Sequence, residues 1–187
     1  MSRLDASTRY HPFAQLLHWL LVPAWLGLFA LGWIMTELPF SPWRLKLYNW
    51  HKWAGMLVLA LSVMRLCWRL WQPPPALPQR LRQAMPGWQH RLHQGVHLAL
   101  YALFLAVPLL GWVYSSAAGF TVVMFGLWPL PDLVPAMPEA VDGLKALHRL
   151  AAYSLMALIG LHVVAALKHA LVDRDGLLAR MGIGRAP

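Results

Sequence analysis

The sequence predicts an all-α protein, a four-helix transmembrane bundle with both termini cytoplasmic, forming a single domain over residues 1–187. Three observations carry that expectation. The chain is 59% hydrophobic and only 12% charged, too apolar for an ordinary soluble domain. Four apolar stretches are each long enough to cross a hydrocarbon core that needs ~20 helical residues. Lys and Arg are distributed unevenly about those stretches, as they are in membrane proteins of defined orientation.

The four spans run roughly from Pro12 to Met35, Tyr48 to Trp71, Trp88 to Ser115 and Val141 to Val172. The first is expected to persist as a helix rather than act as a cleaved signal, because Met1 to His11 is polar, the apolar run is long and no small-residue cleavage site follows. An even number of spans puts the termini on one side. That side collects Arg3, Arg9, Arg65, Arg69, Arg80, Arg82, Arg91, Lys168, Arg174, Arg180 and Arg185, against Arg44, Lys46, Lys52, Lys145 and Arg149 opposite, so it should be the cytoplasmic one. Pro73, Pro74, Pro75 and Pro78 cannot continue a helix and read as a stiff link between spans two and three. Gly119 to Leu130 is apolar but too short to cross and should lie along the outer membrane face. Pro108 should kink span three, with Gly111 beside it. Trp33, Trp43, Trp50, Trp53, Trp112 and Trp128 fall near the outer boundary, where an aromatic belt is expected. The single cysteine, Cys67, has no partner for a disulfide and reads as packing.

Nine histidines remain in a chain otherwise poor in polar groups, and ionisable residues at membrane depth are expensive enough to indicate function. His148 and His162 are 14 residues apart, ~40° short of four full turns and ~21 Å along the axis, so they share one face at two depths. Span one enters from inside and places His18 at the depth of His162. Span two begins outside and places His51 at the depth of His148. Two facing pairs at two levels are what bis-histidine ligation of two haems requires, with metal ligands His18, His51, His148 and His162. Gly55, Ala152 and Ala166 each follow a histidine by four residues and leave room for a flat macrocycle. Arg65 follows His51 by 14 and either meets a haem propionate or extends to the inner headgroups. His97 is the rival to His18. His97 or His169 could otherwise donate to a quinone carbonyl. His11, His90 and His93 lie toward the inner headgroups. Zinc or copper would want ligands clustered at one level, and no Cys, Asp or Glu completes such a cluster. The charge of +9 flanks apolar runs instead of forming a stripe on a soluble fold, which argues against nucleic acid as a partner.

The segment through His18-Trp19-Leu20, the His51 segment, Met64-Arg65-Leu66 to Arg69-Leu70 and the proline-rich link resemble the bacterial cytochrome b561 family, in its small four-span di-haem type. So do His97 followed by Tyr101, the Pro108 to Gly111 bend, His148, and Gly160-Leu161-His162 through His169. The resemblance implies b-type haem, a bacterial inner-membrane location with lipid around the bundle, and exchange of electrons with ubiquinone. Family members include a superoxide oxidase, which passes an electron from superoxide to ubiquinone, and others described as electron carriers. On that reading Lys52 and Arg149, which adjoin the two outer ligands, steer the superoxide anion. Two alternatives are a haem-bearing anchor subunit that links quinone to a partner dehydrogenase or hydrogenase, and a haemless transporter in which histidines relay protons.

Overall fold

Helix starts follow from local chemistry. Pro12 and Pro42 each occupy a first helical turn, where a missing N–H costs nothing, and each is preceded by a side-chain cap. His11 Nδ1 accepts from Phe13 N at 3.2 Å, and Ser41 Oγ accepts from Arg44 N at 3.2 Å. The computed structural model describes residues 9–77, 83 and 86–183. Arg3, Pro78, Arg80, Arg82, Arg185 and the side chain of His90 lie outside what is described.

Four long helices result: α1 (Pro12–Glu37), α2 (Pro42–Trp71), α3 (Gly87–Ala117) and α4 (Val141–Lys168). All four are long and apolar enough to cross a membrane. The shortest, 26 residues, is ~39 Å at 1.5 Å per residue, longer than the ~30 Å hydrocarbon core. α2 begins six residues before the sequence-based boundary, because Ser41 caps it and the polar first turn is helical too. α3 stays helical through Pro108. α4 ends in a π-helical turn, His169–Asp173. The helix exteriors carry large exposed apolar side chains such as Leu98 and Val164, as a surface facing lipid tails does. Cys67 is exposed on that surface rather than packed in the core.

α1 packs on α2, α2 on α3, and α3 on α4. Their shared core holds Leu21, Trp25, Leu28, Val58, Leu100, Val107 and Leu155. Between α3 and α4 the chain forms a two-stranded antiparallel hairpin, β1 (Val123–Met124) and β2 (Trp128–Pro129). Phe125 and Gly126 both take positive φ at its tip, the primed-turn geometry that matches strand twist. Trp53 Nε1 donates to Val123 O at 2.7 Å and straps this hairpin to α2.

The opposite end is closed by the chain's two terminal segments. Tyr10 N donates to Arg180 O at 3.1 Å, and Trp19 Nε1 donates to Met181 O at 2.8 Å. Arg180 is buried, and it donates to the carbonyls of Pro75 and Ala76 at 2.6 and 3.0 Å. Burial pulls its pKa down from the ordinary arginine value. The bundle therefore has a hairpin side and a terminal side.

Candidate functional site

The heptad geometry of the four helices produces two histidine clusters. Fourteen residues separate His18 from Gly32 on α1, His51 from Arg65 on α2, His97 from Gly111 on α3, and His148 from His162 on α4. Each pair thus shares a helix face with ~21 Å of rise between its members. The midpoints are Trp25, Val58, Phe104 and Leu155, all in or against the core, with Trp25 stacked on Phe104 at 5.3 Å. An apolar layer consequently divides a hairpin-side cluster from a terminal-side cluster.

On the hairpin side, the His51 and His148 rings have centroids 6.3 Å apart and planes 88° apart. Two metal–imidazole bonds of ~2 Å set in line, plus ~1.1 Å from nitrogen to ring centre on each side, span ~6.2 Å, so this pair has the separation of two imidazoles on opposite faces of one flat macrocycle. His148 Nδ1 bonds to Val107 O at 3.0 Å, which fixes the ring and leaves Nε2 for a ligand. His51 Nδ1 is buried without a hydrogen bond, although the Leu28 carbonyl lies beside it. A Cβ added at Gly32 would lie 3.0 Å from His51 Cε1, and one at Gly111 would lie 3.0 Å from His148 Cε1. Each ring therefore rests in a place that only glycine vacates. The two rings line a cavity with about 890 Å³ of unfilled space, its open mouth included. Gly55 and Ala152 line it, as the spacing argument expects. Trp112, expected in the aromatic belt, lines it as well, and its indole N–H, like that of Trp25, is buried without a partner. Buried donors without a protein acceptor suit a group that brings its own acceptors. These observations fit a haem.

On the terminal side, the His18 and His162 centroids are 6.4 Å apart with planes at 78°, matching the separation on the hairpin side. His97 lies closer to His162, at 5.3 Å, and its Nδ1 bonds to His93 O at 2.8 Å. The His93 and His97 rings are 4.3 Å apart. Arg65 donates to the Ala14 carbonyl at 3.1 Å, so one of its five donors holds the first turn of α1 rather than reaching out to the headgroups. From there it lies near His18, His97 and His162. Arg69 stacks over the Tyr101 ring at 5.2 Å. His169 is apart from this cluster's ring contacts, and its Nδ1 meets Asp175 at 2.6 Å and Asp173 at 3.1 Å.

Lys52 and Arg149 differ. Lys52 is half-buried at the cavity, where its Nζ donates to Phe120 O at 3.3 Å and Asp132 acts on its charge. Arg149 is exposed. Sequence reasoning missed Gly32 and Gly111, although each follows a histidine by the same 14 residues that relate His148 to His162.

The profile of the prokaryotic cytochrome b561 family matches residues 9–184. Cytochrome b561 homolog 2 of Escherichia coli (strain K12) is 34% identical over 182 residues, 97% of this chain and 95% of that protein. The probable superoxide oxidase CybB of Yersinia pestis is 32% identical over 171 residues, 88% of this chain and 90% of its own length. Cytochrome b561 homolog 1 of Escherichia coli (strain K12) is 31% identical over 132 residues, 70% of this chain and 72% of that one.

Proposed function

The chain belongs to the prokaryotic cytochrome b561 family, multi-pass electron-transfer proteins of the bacterial inner membrane that bind haem b, and from that premise we propose that it carries two haems b and oxidises superoxide with ubiquinone as acceptor. The observation that supports two sites is the pair of ring separations, 6.3 Å for His51 and His148 and 6.4 Å for His18 and His162, at opposite ends of the bundle. When bound, the haems supply one-electron redox chemistry. The protein's own residues do the rest. His51 and His148 hold the hairpin-side haem, with the Val107 carbonyl orienting His148. His18 and His162 hold the terminal-side haem, because the His97–His162 separation of 5.3 Å is about 1 Å short of what two imidazoles on opposite faces of one macrocycle span. Arg65, anchored on α1, keeps further donors for a propionate there. Trp25 and Phe104, stacked between the levels, exclude water from the middle of the bundle.

The hairpin side faces the periplasm in this reading, following the Lys and Arg bias. Each superoxide anion gives up one electron and leaves as O₂; two such electrons and two protons turn ubiquinone into ubiquinol. Arg149, exposed beside His148, attracts the anion, with Lys52 contributing from the cavity. His97 is the better placed of the two quinone candidates. Its Nδ1 is engaged by a backbone carbonyl, which leaves Nε2 as the nitrogen for proton exchange, whereas Asp173 and Asp175 hold His169. The superoxide assignment also leans on the Yersinia pestis relative.

The test is stopped-flow mixing of the purified haem-loaded protein with superoxide, with and without ubiquinone. Rapid haem reduction that ubiquinone reverses is expected. Two b haems that superoxide leaves oxidised while quinol reduces them would sink the donor and keep the electron-transfer role.

A further inference from the structure

The hairpin-side site is built twice by one device. On α1 the Leu28 carbonyl and the bare Cα of Gly32, one turn later, face the His51 ring; on α3 the Val107 carbonyl and Gly111, again one turn later, face the His148 ring. The distances repeat: a Cβ at Gly32 would meet Cε1, Nδ1 and Nε2 of His51 at 3.0, 3.4 and 3.9 Å, and one at Gly111 would meet those of His148 at 3.0, 3.3 and 3.7 Å. A Cβ placed at Gly27, Gly55, Gly95 or Gly160 meets nothing within 4 Å, so close approach is particular to these two glycines among the described helix positions named. The terminal-side rings have no such seat; they contact other histidines and lie near Arg65.

Resting on the two-haem reading, we infer that Gly32 and Gly111 are positioning residues that lock the His51 and His148 imidazole planes at right angles, and so set the electronic character of the hairpin-side haem alone. An axial imidazole mixes its π orbital with whichever iron d orbital lies perpendicular to the ring plane. Crossed planes mix equally with two such orbitals and leave them nearly degenerate, which makes low-spin ferric iron magnetically very anisotropic. Rotating one ring toward the other lifts that degeneracy. The 88° between the ring planes is the crossed limit. An alanine methyl at 3.0 Å is closer than ordinary van der Waals contact, so the facing ring must turn or withdraw.

The two glycines should respond differently. His148 Nδ1 is bonded to the Val107 carbonyl at 3.0 Å, whereas His51 Nδ1 lies beside the Leu28 carbonyl without reaching hydrogen-bond geometry, so His51 turns more readily than His148. The experiment is low-temperature electron paramagnetic resonance with pyridine haemochrome counting on the full-length protein and on Gly32→Ala, Gly111→Ala and Gly27→Ala. Gly32→Ala should keep two haems while the hairpin-side signal moves from strongly anisotropic toward rhombic. Gly111→Ala should lose most of the hairpin-side haem. Gly27→Ala should match the parent, and the terminal-side signal should stay put throughout, which also reports correct folding. Both glycine variants with the parent spectrum would overturn the inference. So would equal shifts in both haem signals. Loss of the hairpin-side haem in both variants would overturn plane locking and leave only a requirement for space. A parent protein without two low-spin b signals would instead remove the two-haem reading, and this inference with it.

Discussion

The hairpin-side and terminal-side clusters share one ring separation and differ in nearly everything around it. On the hairpin side two histidines face each other across a cavity, each pressed against a glycine, with unpartnered indole N–H groups nearby and the tethered Lys52 at the cavity wall. On the terminal side, rings from His18, His93, His97 and His162 form a chain of contacts close to Arg65, with Arg69 on the adjacent Tyr101. A site with one pair of rings and a steric seat admits one ligand geometry. A site with several rings, cations and titratable nitrogens can bind a cofactor and also pass protons. The difference suits an electron entry point on one side and proton-coupled quinone reduction on the other.

The harshest way to break this comparison is to remove ligands. His51→Ala and His148→Ala should each abolish the hairpin-side haem, and His18→Ala and His162→Ala the other, reducing two haems per chain to one by pyridine haemochrome. His97→Ala should keep both haems and slow ubiquinone reduction. If His97→Ala costs the terminal-side haem while His18→Ala does not, the pairing on that side is the other one.

A milder challenge concerns charge at the hairpin side. Exposed charges are screened over ~8 Å at physiological salt, so steering must weaken as salt rises. The double change Lys52→Gln with Arg149→Gln should slow superoxide-driven haem reduction by up to ~10-fold and flatten its salt dependence, with both haems retained. Because Lys52 is tied to the Phe120 carbonyl and Arg149 is exposed, most of that effect should appear in Arg149→Gln alone. An unchanged rate and salt slope would remove electrostatic steering from the proposal.

The smallest expected effect is at the terminal-side clasp. Arg180→Ala leaves the Pro75 and Ala76 carbonyls without their buried donor, which costs ~1–3 kcal/mol. Thermal unfolding followed by haem release should begin at lower temperature, with the terminal-side spectrum perturbed first. Equal sensitivity of both haems would show that the two ends unfold as one unit.

Much of this could be read without coordinates. Hydropathy and length determine four spans, since a bilayer leaves a backbone of this composition no alternative to helices. The 14-residue spacing of His148 and His162 determines one face at two depths, because helical pitch is nearly constant. The expected match of His18 with His162 and of His51 with His148 follows from chain direction in successive spans, and the rings of each pair lie 6.4 and 6.3 Å apart. Local reasoning failed where a side chain has two destinations. Trp112 has the composition of an interfacial belt residue, yet it lines the cavity, and Cys67 sits in an apolar run but faces outward, because a helix in lipid has no polar face to reveal its rotation. Gly119 to Leu130 showed only its shortness; the hairpin depends on Phe125 accepting positive φ and on Trp53 reaching Val123 across the chain.

Spacing pairs His18 with His162 but keeps His97 as a rival, since His18 and His97 occupy similar depths. The separations of 6.4 and 5.3 Å are what support His18 in the proposed pairing, and those depend on how α1 and α3 lean against α4. The same holds for Gly32 and Gly111. Sequence placed a glycine 14 residues after each of two histidines, but that a ring from a different helix fills the missing Cβ is a property of packing between helices. Periodicity along one helix is set by covalent geometry and is legible residue by residue, whereas contact between helices is set by the summed packing of many side chains, which only the folded bundle decides.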